Sequence, residues 1–308
     1  MTTALDEPIN IVALMEEFGS DDRCRTVLEQ LRWPDGPKCP RCQSSATKIA
    51  NRFQYDCDSC HYQFSVTAGT IFHDSHLSLW KWFLTTYLLC ESKKGMSACQ
   101  IQRMLKITYK TSWYLCHRIR KAMLETDKAK LDGVVEIDET YIGGKQRGLG
   151  KKRGMENKET VIGIRKRNGE LRFFHAKDAK SATLAQFIRE NVSKNVDVII
   201  TDEWPAYPDA MRRAGITQHK TIRHKSRVYV VGDVHTNTVE SAFSLLKRGI
   251  MGTWHRVSVK HLPAYLDEMC FRFNNRDNPY LFRDTIIKLI QAPNLEYKHL
   301  TAKVQDAA

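Results

Sequence analysis

Apolar and polar positions along the chain change period twice, and each change marks a boundary. Between Cys24 and Trp33 apolar residues fall at 24, 27, 28 and 31, the spacing of one helix face. Ser20-Asp21-Asp22 ahead of them supplies N-cap chemistry, and Ile11 to Met15 form a shorter apolar stretch before it. Residues 1–33 therefore read as a helical arm. Pro34-Asp35-Gly36-Pro37 ends it, and Ile49, Phe53 and Tyr55, then Phe64 to Thr70, predict short strands and a turn. From Ser78, a predicted cap, apolar residues at 79, 80, 83, 87 and 88 mark a buried helical stripe. Ser97 to Leu105 predicts a second helix, Lys106-Ile107-Thr108 a turn, and Tyr109 to about Leu124 a third helix carrying Lys110, Arg118, Arg120 and Lys121. A helix, a short turn and a basic amphipathic helix suggest a helix-turn-helix whose last helix enters a major groove. A plain helical scaffold gives the same pattern, and the turn lacks a glycine.

After the polar boundary at Asp127 to Gly133 the period becomes that of strands. Val134 to Asp138 is an apolar run ending on a carboxylate, followed by Gly143-Gly144 and a basic loop from Lys145 to Arg153. Thr160 to Ile164 and Leu171 to His175 flank an Asn168-Gly169 turn, a hairpin signal. A helix capped by Ser181 places Leu184, Phe187, Ile188 and Val192 on one face, and Asp197 to Asp202 is a second strand ending on a carboxylate. A short strand near Lys220 to His224 precedes a helix opened by His235 to Glu240. Residues 249–258 read as a loop, Ser258 caps a helix to Phe273, and Leu281 to Ile290 forms the last helix before a polar tail. The order matches an RNase-H-like α/β layer fold, in which the first and fourth strands lie side by side and a site forms at their carboxyl ends. The expected architecture is an N-terminal arm (1–33), a zinc ribbon (34–75), a small helix-turn-helix-like DNA-binding module (76–130), an RNase-H-like catalytic domain (131–280), and a C-terminal helix and tail (281–308).

Charge and cysteine usage narrow the function. The 308 residues carry a formal net charge of +13, which favours a polyanionic partner. No run of about 20 apolar residues is present, and Met1 to Ile11 lacks a signal pattern, so nucleic acid in the cytoplasm is expected rather than a membrane. Nine cysteines, an odd number, argue for reduced thiols. Four of them form Cys39-x2-Cys42-x14-Cys57-x2-Cys60, two knuckles that close a tetrahedral structural Zn²⁺ site with no position open for chemistry.

Asp138, Asp202 and Glu240 form the candidate catalytic set. Two strand-end aspartates and a helix-borne glutamate can converge on two Mg²⁺ ions, which take oxygen ligands and serve phosphoryl transfer on DNA. Lys247, seven residues past Glu240, returns to the same helix face and can grip a phosphate. Singly, each acid reads equally as a solvated turn residue, as Glu139 and Glu203 illustrate. His235 is open between an active-site contact and a structural turn.

These residues resemble those of bacterial insertion-sequence transposases with an N-terminal zinc ribbon and an ISXO-like DDE domain. The resemblance rests on Leu31-Arg32-Trp33-Pro34-Asp35-Gly36 before Cys39-Pro40-Arg41-Cys42, and on Thr67 to Phe72. Further on it rests on Glu136-Ile137-Asp138-Glu139-Thr140-Tyr141-Ile142-Gly143-Gly144, Thr201-Asp202-Glu203, His235 to Gly249, and Tyr265 to Asn274. It implies a DDE triad and following lysine at Asp138, Asp202, Glu240 and Lys247, with Mg²⁺ (or Mn²⁺) held by the three acids. It also implies cleavage at element ends, transfer of the freed 3′-OH into double-stranded target DNA, a homo-oligomer on DNA, and a bacterial, nucleoid-associated setting. Some relatives carry Asn at the third position, where this chain has Glu240. The aromatic after the third acid is often Trp; here it is Phe243. A DNA-binding regulator with an inactive core, or an RNase-H-like nuclease, are the alternatives.

Overall fold

In the N-terminal half the side chains of Asn10, Ser20, Ser97 and Thr108 each start a helix that is then buried along one stripe. In α1 (Ile11–Phe18) the Asn10 carboxamide oxygen accepts from the Val12 and Ala13 N–H groups, and Ser20 does the same for Arg23 in α2 (Asp21–Arg32). A computed structural model describes residue 5 and residues 7–143, 158–222 and 235–302 of the chain. The basic loop 145–153, and Arg223 and His224 of the expected short strand, lie outside the described residues. Strands β1 (Ala46–Lys48), β2 (Tyr55–Cys57) and β3 (Gln63–Phe64) make a small antiparallel sheet. Trp33, at the end of α2, packs edge-on against Tyr55 and Phe64, with ring centroids 5.0 and 5.9 Å apart.

Three helices follow: α3 (Leu79–Glu91), α4 (Ala98–Leu105) and α5 (Tyr109–Met123). Ser78 occupies the cap position of α3 without a capping bond; instead Asp21 Oδ1 accepts from Trp80 N–H at 3.2 Å. The turn without glycine is made by Lys106 in the left-handed region (φ 51°). The basic face expected of α5 is divided. Lys110 and Lys121 are exposed, but Arg118 and Arg120 are only 2% and 1% exposed. Arg118 Nη2 donates to His73 O (2.6 Å) and Asn294 Oδ1 (3.1 Å), and its guanidinium lies over Trp82 and Tyr114. These two arginines are inside the packing and do not reach a groove, because α5 is covered by helices distant in sequence.

The second unit, Glu125–Asn274, is built on β4 (Val134–Ile142), β5 (Glu159–Lys166), β6 (Leu171–Ala176), β7 (Val198–Thr201) and β8 (His219–Thr221). Strand order is β6-β5-β4-β7-β8, with the first three antiparallel in sequence and β7 and β8 parallel to β4. This is the RNase-H-like sheet expected from the element order. Val135 and Ile137 point with Ile162 and Ile164 into a core with α6 (Ser181–Asn191) and α7 (Ala206–Ala214). Val161, Leu171 and Phe173 point the other way, against α8 (Asn237–Gly249) and α9 (Leu262–Asn274). Lys180 rather than Ser181 stands at the cap of α6, where Asp178 Oδ1 accepts from Lys180 N–H and the Thr183 hydroxyl. The expected loop at 249–258 begins as a π-helical turn, Ile250–Trp254, that buries Trp254 against Tyr265. After α9 the chain returns to the first unit (Met1–Leu124 with Asn275–Ala308). There α10 (Leu281–Gln291) sets Phe282 against Phe83 and Tyr87, and α11 (Tyr297–Thr301) sets Tyr297 against Tyr114.

Candidate active site and zinc site

The strand ladder brings the two aspartates together. Strand β4 pairs with β7 as Val134↔Val198, Val135↔Ile199 and Glu136↔Ile200. Carried two residues on, the same register sets Asp138 beside Asp202, just past the end of β7. On the other side Asp138 pairs with Gly163. Directly opposed residues share a sheet face, and a Cβ built on Gly163 would meet Phe243 and Val239 of α8. Asp138 therefore points toward the helix that carries Glu240. Burial pushes the Asp138 carboxyl up to about 7, and the charges of Glu139, Asp202 and Glu240 add to this; the Glu139 N–H, 2.8 Å from Asp138 Oδ1, opposes it. Glu240 is exposed and accepts from the Thr236 hydroxyl at 2.7 Å. Lys247 is exposed on the same helix about 10 Å farther along its axis.

The three acids form a loose group. Among the described residues, only Cys39, Cys42, Cys57 and Cys60 make a set of three or more His, Cys, Asp or Glu donors all within 4.8 Å of one another. Oxygens across an octahedral Mg²⁺ are about 4.2 Å apart, so the acids as placed do not converge on one ion. Two ions about 4 Å apart sharing Asp138 need only one outer acid each, and a largely withdrawn Asp138 with Asp202 and Glu240 near enough to raise its pKa is a donor set suited to hard cations. The cysteines meet a tighter criterion. Their sulfurs stand 3.7 Å (Cys39–Cys60), 3.4 Å (Cys42–Cys57) and 3.6 Å (Cys42–Cys60) apart. A tetrahedron of thiolates about 2.3 Å from Zn²⁺ has edges of about 3.8 Å, and backbone N–H groups of Arg41 and Cys60 already point at Cys39 and Cys57. The ribbon residues fit structural zinc.

Glu136 was not singled out by the sequence reading, and it organises the site. It is fully buried two residues before Asp138, on the same face of β4. Its Oε1 accepts from Arg167 Nε (3.1 Å) and Nη2 (3.0 Å). Its Oε2 accepts from Thr238 N–H (3.1 Å), the Thr238 hydroxyl (2.6 Å) and Val239 N–H (3.2 Å). The side chain of Thr236, at the cap position of α8, makes no capping bond. A strand carboxylate thus caps the helix, satisfying two otherwise orphaned donors and lying at the positive end of its dipole. This ties the start of α8, and with it Glu240, to the strand that bears Asp138. His235 belongs to this cluster: its Nδ1 is 3.5 Å from Glu136 Oε1 and its carbonyl accepts from Arg167. Glu139 faces the opposite side of the sheet, where the buried Tyr207 hydroxyl donates to it at 2.7 Å.

Residues 130–274 match the ISXO2-like transposase domain, and residues 19–63 match the transposase zinc-ribbon domain. An uncharacterized protein in transposable element ISH50 of Halobacterium salinarum is 30% identical over 272 residues, covering 82% of this chain and 90% of that protein. Among solved structures, a chain of a pre-cleavage Mos1 transpososome aligns with 66% of this chain and 77% of its own length. Its 9% identity and TM-score of 0.25 carry no weight for the site. With a four-cysteine ribbon, an RNase-H-like sheet and a relative of this extent, the chain belongs to the ISXO2-like transposase family.

Proposed function

We propose that this chain catalyses DNA transposition: Mg²⁺-dependent cleavage at insertion-sequence ends, then transfer of the 3′-OH into target DNA. The observation that carries the proposal is the strand register that sets Asp138 beside Asp202 at the carboxyl edge of β4 and β7, with the Asp138 carboxyl pushed up to about 7 chiefly by burial and further by the charges of Glu139, Asp202 and Glu240. Asp138, Asp202 and Glu240 would hold Mg²⁺ or Mn²⁺, with Asp138 shared. Bound metal supplies charge stabilisation to the attacking and leaving oxygens of an in-line displacement. Asp138 is held on a central strand by its pairing with Gly163 of β5, two residues past the last pair of β4 with β7, which fixes its height at the sheet edge. Asp202 is steadied where the strand ends, its Oδ1 accepting from Trp204 N–H at 3.0 Å. Glu240 is brought in by α8, whose start Glu136 clamps. Lys247 contacts a backbone phosphate away from the acids. The net charge of +13 supports double-stranded DNA as the partner, both element ends and target, with the chain acting as a homo-oligomer on DNA in the bacterial cytoplasm. Among the described residues, no helix is long and apolar enough to cross a membrane.

The test uses zinc-loaded protein, Mg²⁺ and labelled duplexes carrying the ends of the encoding element. Nicking and joining that disappear in Asp138→Asn are expected. Binding without chemistry in the wild type would make the chain a regulator instead, and nicking without joining would make it a nuclease.

A further inference from the structure

Next to Asp202 lies an open groove of about 560 Å³ that the proposed mechanism leaves unused. Its walls include Tyr141, three residues past Asp138, and Trp204, two residues past Asp202, with Lys180 at its margin. Trp204 is 43% exposed, yet it is fixed. Its backbone N–H donates to Asp202 Oδ1 (3.0 Å), its indole N–H reaches Ala179 O (3.4 Å), and its carbonyl accepts from Tyr207 N–H (3.1 Å). An exposed indole held this way presents a flat face without the ordering cost that a mobile side chain pays on binding. Lys180 is exposed and offers a positive charge to a neighbouring phosphate.

We propose that this groove takes an unpaired nucleobase of the DNA strand being processed, stacked on Trp204, from a nucleotide next to the scissile phosphate. The inference rests on the reading that the substrate is DNA. Asp138 is largely withdrawn from solvent, whereas Trp204 stands at the rim beside Asp202. A strand whose phosphate reaches Asp202 passes the indole two residues on, and the base beside that phosphate meets the ring. Base–aromatic stacking tolerates any sequence because every base has a π-face. It also offsets the cost of taking a base out of the duplex.

The experiment uses the full chain, Ca²⁺ in place of Mg²⁺ to hold the complex before chemistry, and three duplexes of the element's own end. They differ only beside the cleavage position: fully paired, mismatched, or mismatched with the flanking base removed. Wild type is expected to bind the mismatched duplex more tightly than the paired one, and to lose that gain when the base is absent. Trp204→Ala should weaken binding of the mismatched duplex by roughly tenfold to a hundredfold and remove the dependence on the base, while Trp204→Phe keeps most of both. Tight binding and Mg²⁺-dependent cleavage with the same base dependence in Trp204→Ala as in wild type would overturn the base site and leave the transposase reading standing. Failure of wild type to bind any of the duplexes would overturn both.

Discussion

Gly163 should be the least replaceable residue of β5, because its missing side chain is the space into which α8 packs. A Cβ built there lies 2.7 Å from Phe243 Cζ and 3.0 Å from both Phe173 Cε1 and Val239 Cγ2. Ordinary carbon contacts are about 3.5–4.0 Å, so Gly163→Ala requires the Phe243 ring to retreat by roughly 1 Å. The ring has nowhere to go: it is 4% exposed and stacked on Phe173, with centroids 5.1 Å apart and planes 15° from parallel. The helix must move instead. Overpacking of this kind costs about 1–3 kcal/mol, which lowers Tm by roughly 2–4 °C per kcal/mol in a domain of this size. Glu240 lies one turn before Phe243, so a shift of about 1 Å also misplaces it relative to Asp138, at a cost on the order of 100-fold in cleavage rate. Thermal melts and single-turnover nicking measure the two effects separately. The double variant Gly163→Ala/Phe243→Leu removes the clashing ring atom and should recover part of both. A Tm within a degree of wild type together with full nicking, or a double variant no better than the single, would refute the packing argument.

The Glu136 cap predicts that Glu136→Ala destabilises the second unit by about 3 kcal/mol, since it strips a buried ion pair and two helix-end donors at once; urea midpoints of the two proteins check this. Thr238→Val, which removes one hydroxyl bond to the same carboxylate, should cost about 1 kcal/mol, and a cost equal to that of Glu136→Ala would contradict the assignment. Asp138 gives a pH dependence. Its folded value of about 7 exceeds the ordinary 3.8, so the native state holds the proton more tightly and loses stability as pH rises from about 4 to 7. The full difference corresponds to about 4 kcal/mol, and roughly half survives relaxation and water access. Without divalent ions Asp138→Asn should therefore be the more stable protein at pH 8 and lose most of that advantage by pH 4, with Mg²⁺ closing the gap at pH 8; a less stable Asn variant at pH 8 would count against the buried charge. Removing zinc with a strong chelator should release one ion per chain and melt the ribbon while the Asp138 unit keeps its own transition, because each unit has its own core. A single shared loss of both transitions would argue otherwise.

The parts that sequence makes visible are those written in local spacing. Two Cys-x2-Cys knuckles state their own chemistry, and an apolar run that stops on Asp138 or Asp202 marks a strand end without knowledge of its neighbours. Glu136 could not be found this way. Its partners Arg167 and Thr238 lie 31 and 102 residues away, and an acid inside a strand resembles any other acid until its burial is known. Arg118 and Arg120 misled for the same reason, since the amphipathic pattern of α5 cannot register that α10 closes over it. Gly163 did leave a trace. A glycine inside a strand signals close approach of something to the backbone, although what approaches is settled only by α8.

The path of the chain has a consequence for its synthesis. The acid-bearing unit is a continuous insertion, Glu125–Asn274, within a first unit that needs Asn275 onward to be complete. On the ribosome the sheet with Asp138 and Asp202 can close while α3 and α5 still await α10 and its Phe282. A message truncated near residue 274 would thus release an intact set of acids attached to helices with an uncovered aromatic face. Such a product should aggregate or be degraded, so that only chains read through α10 persist.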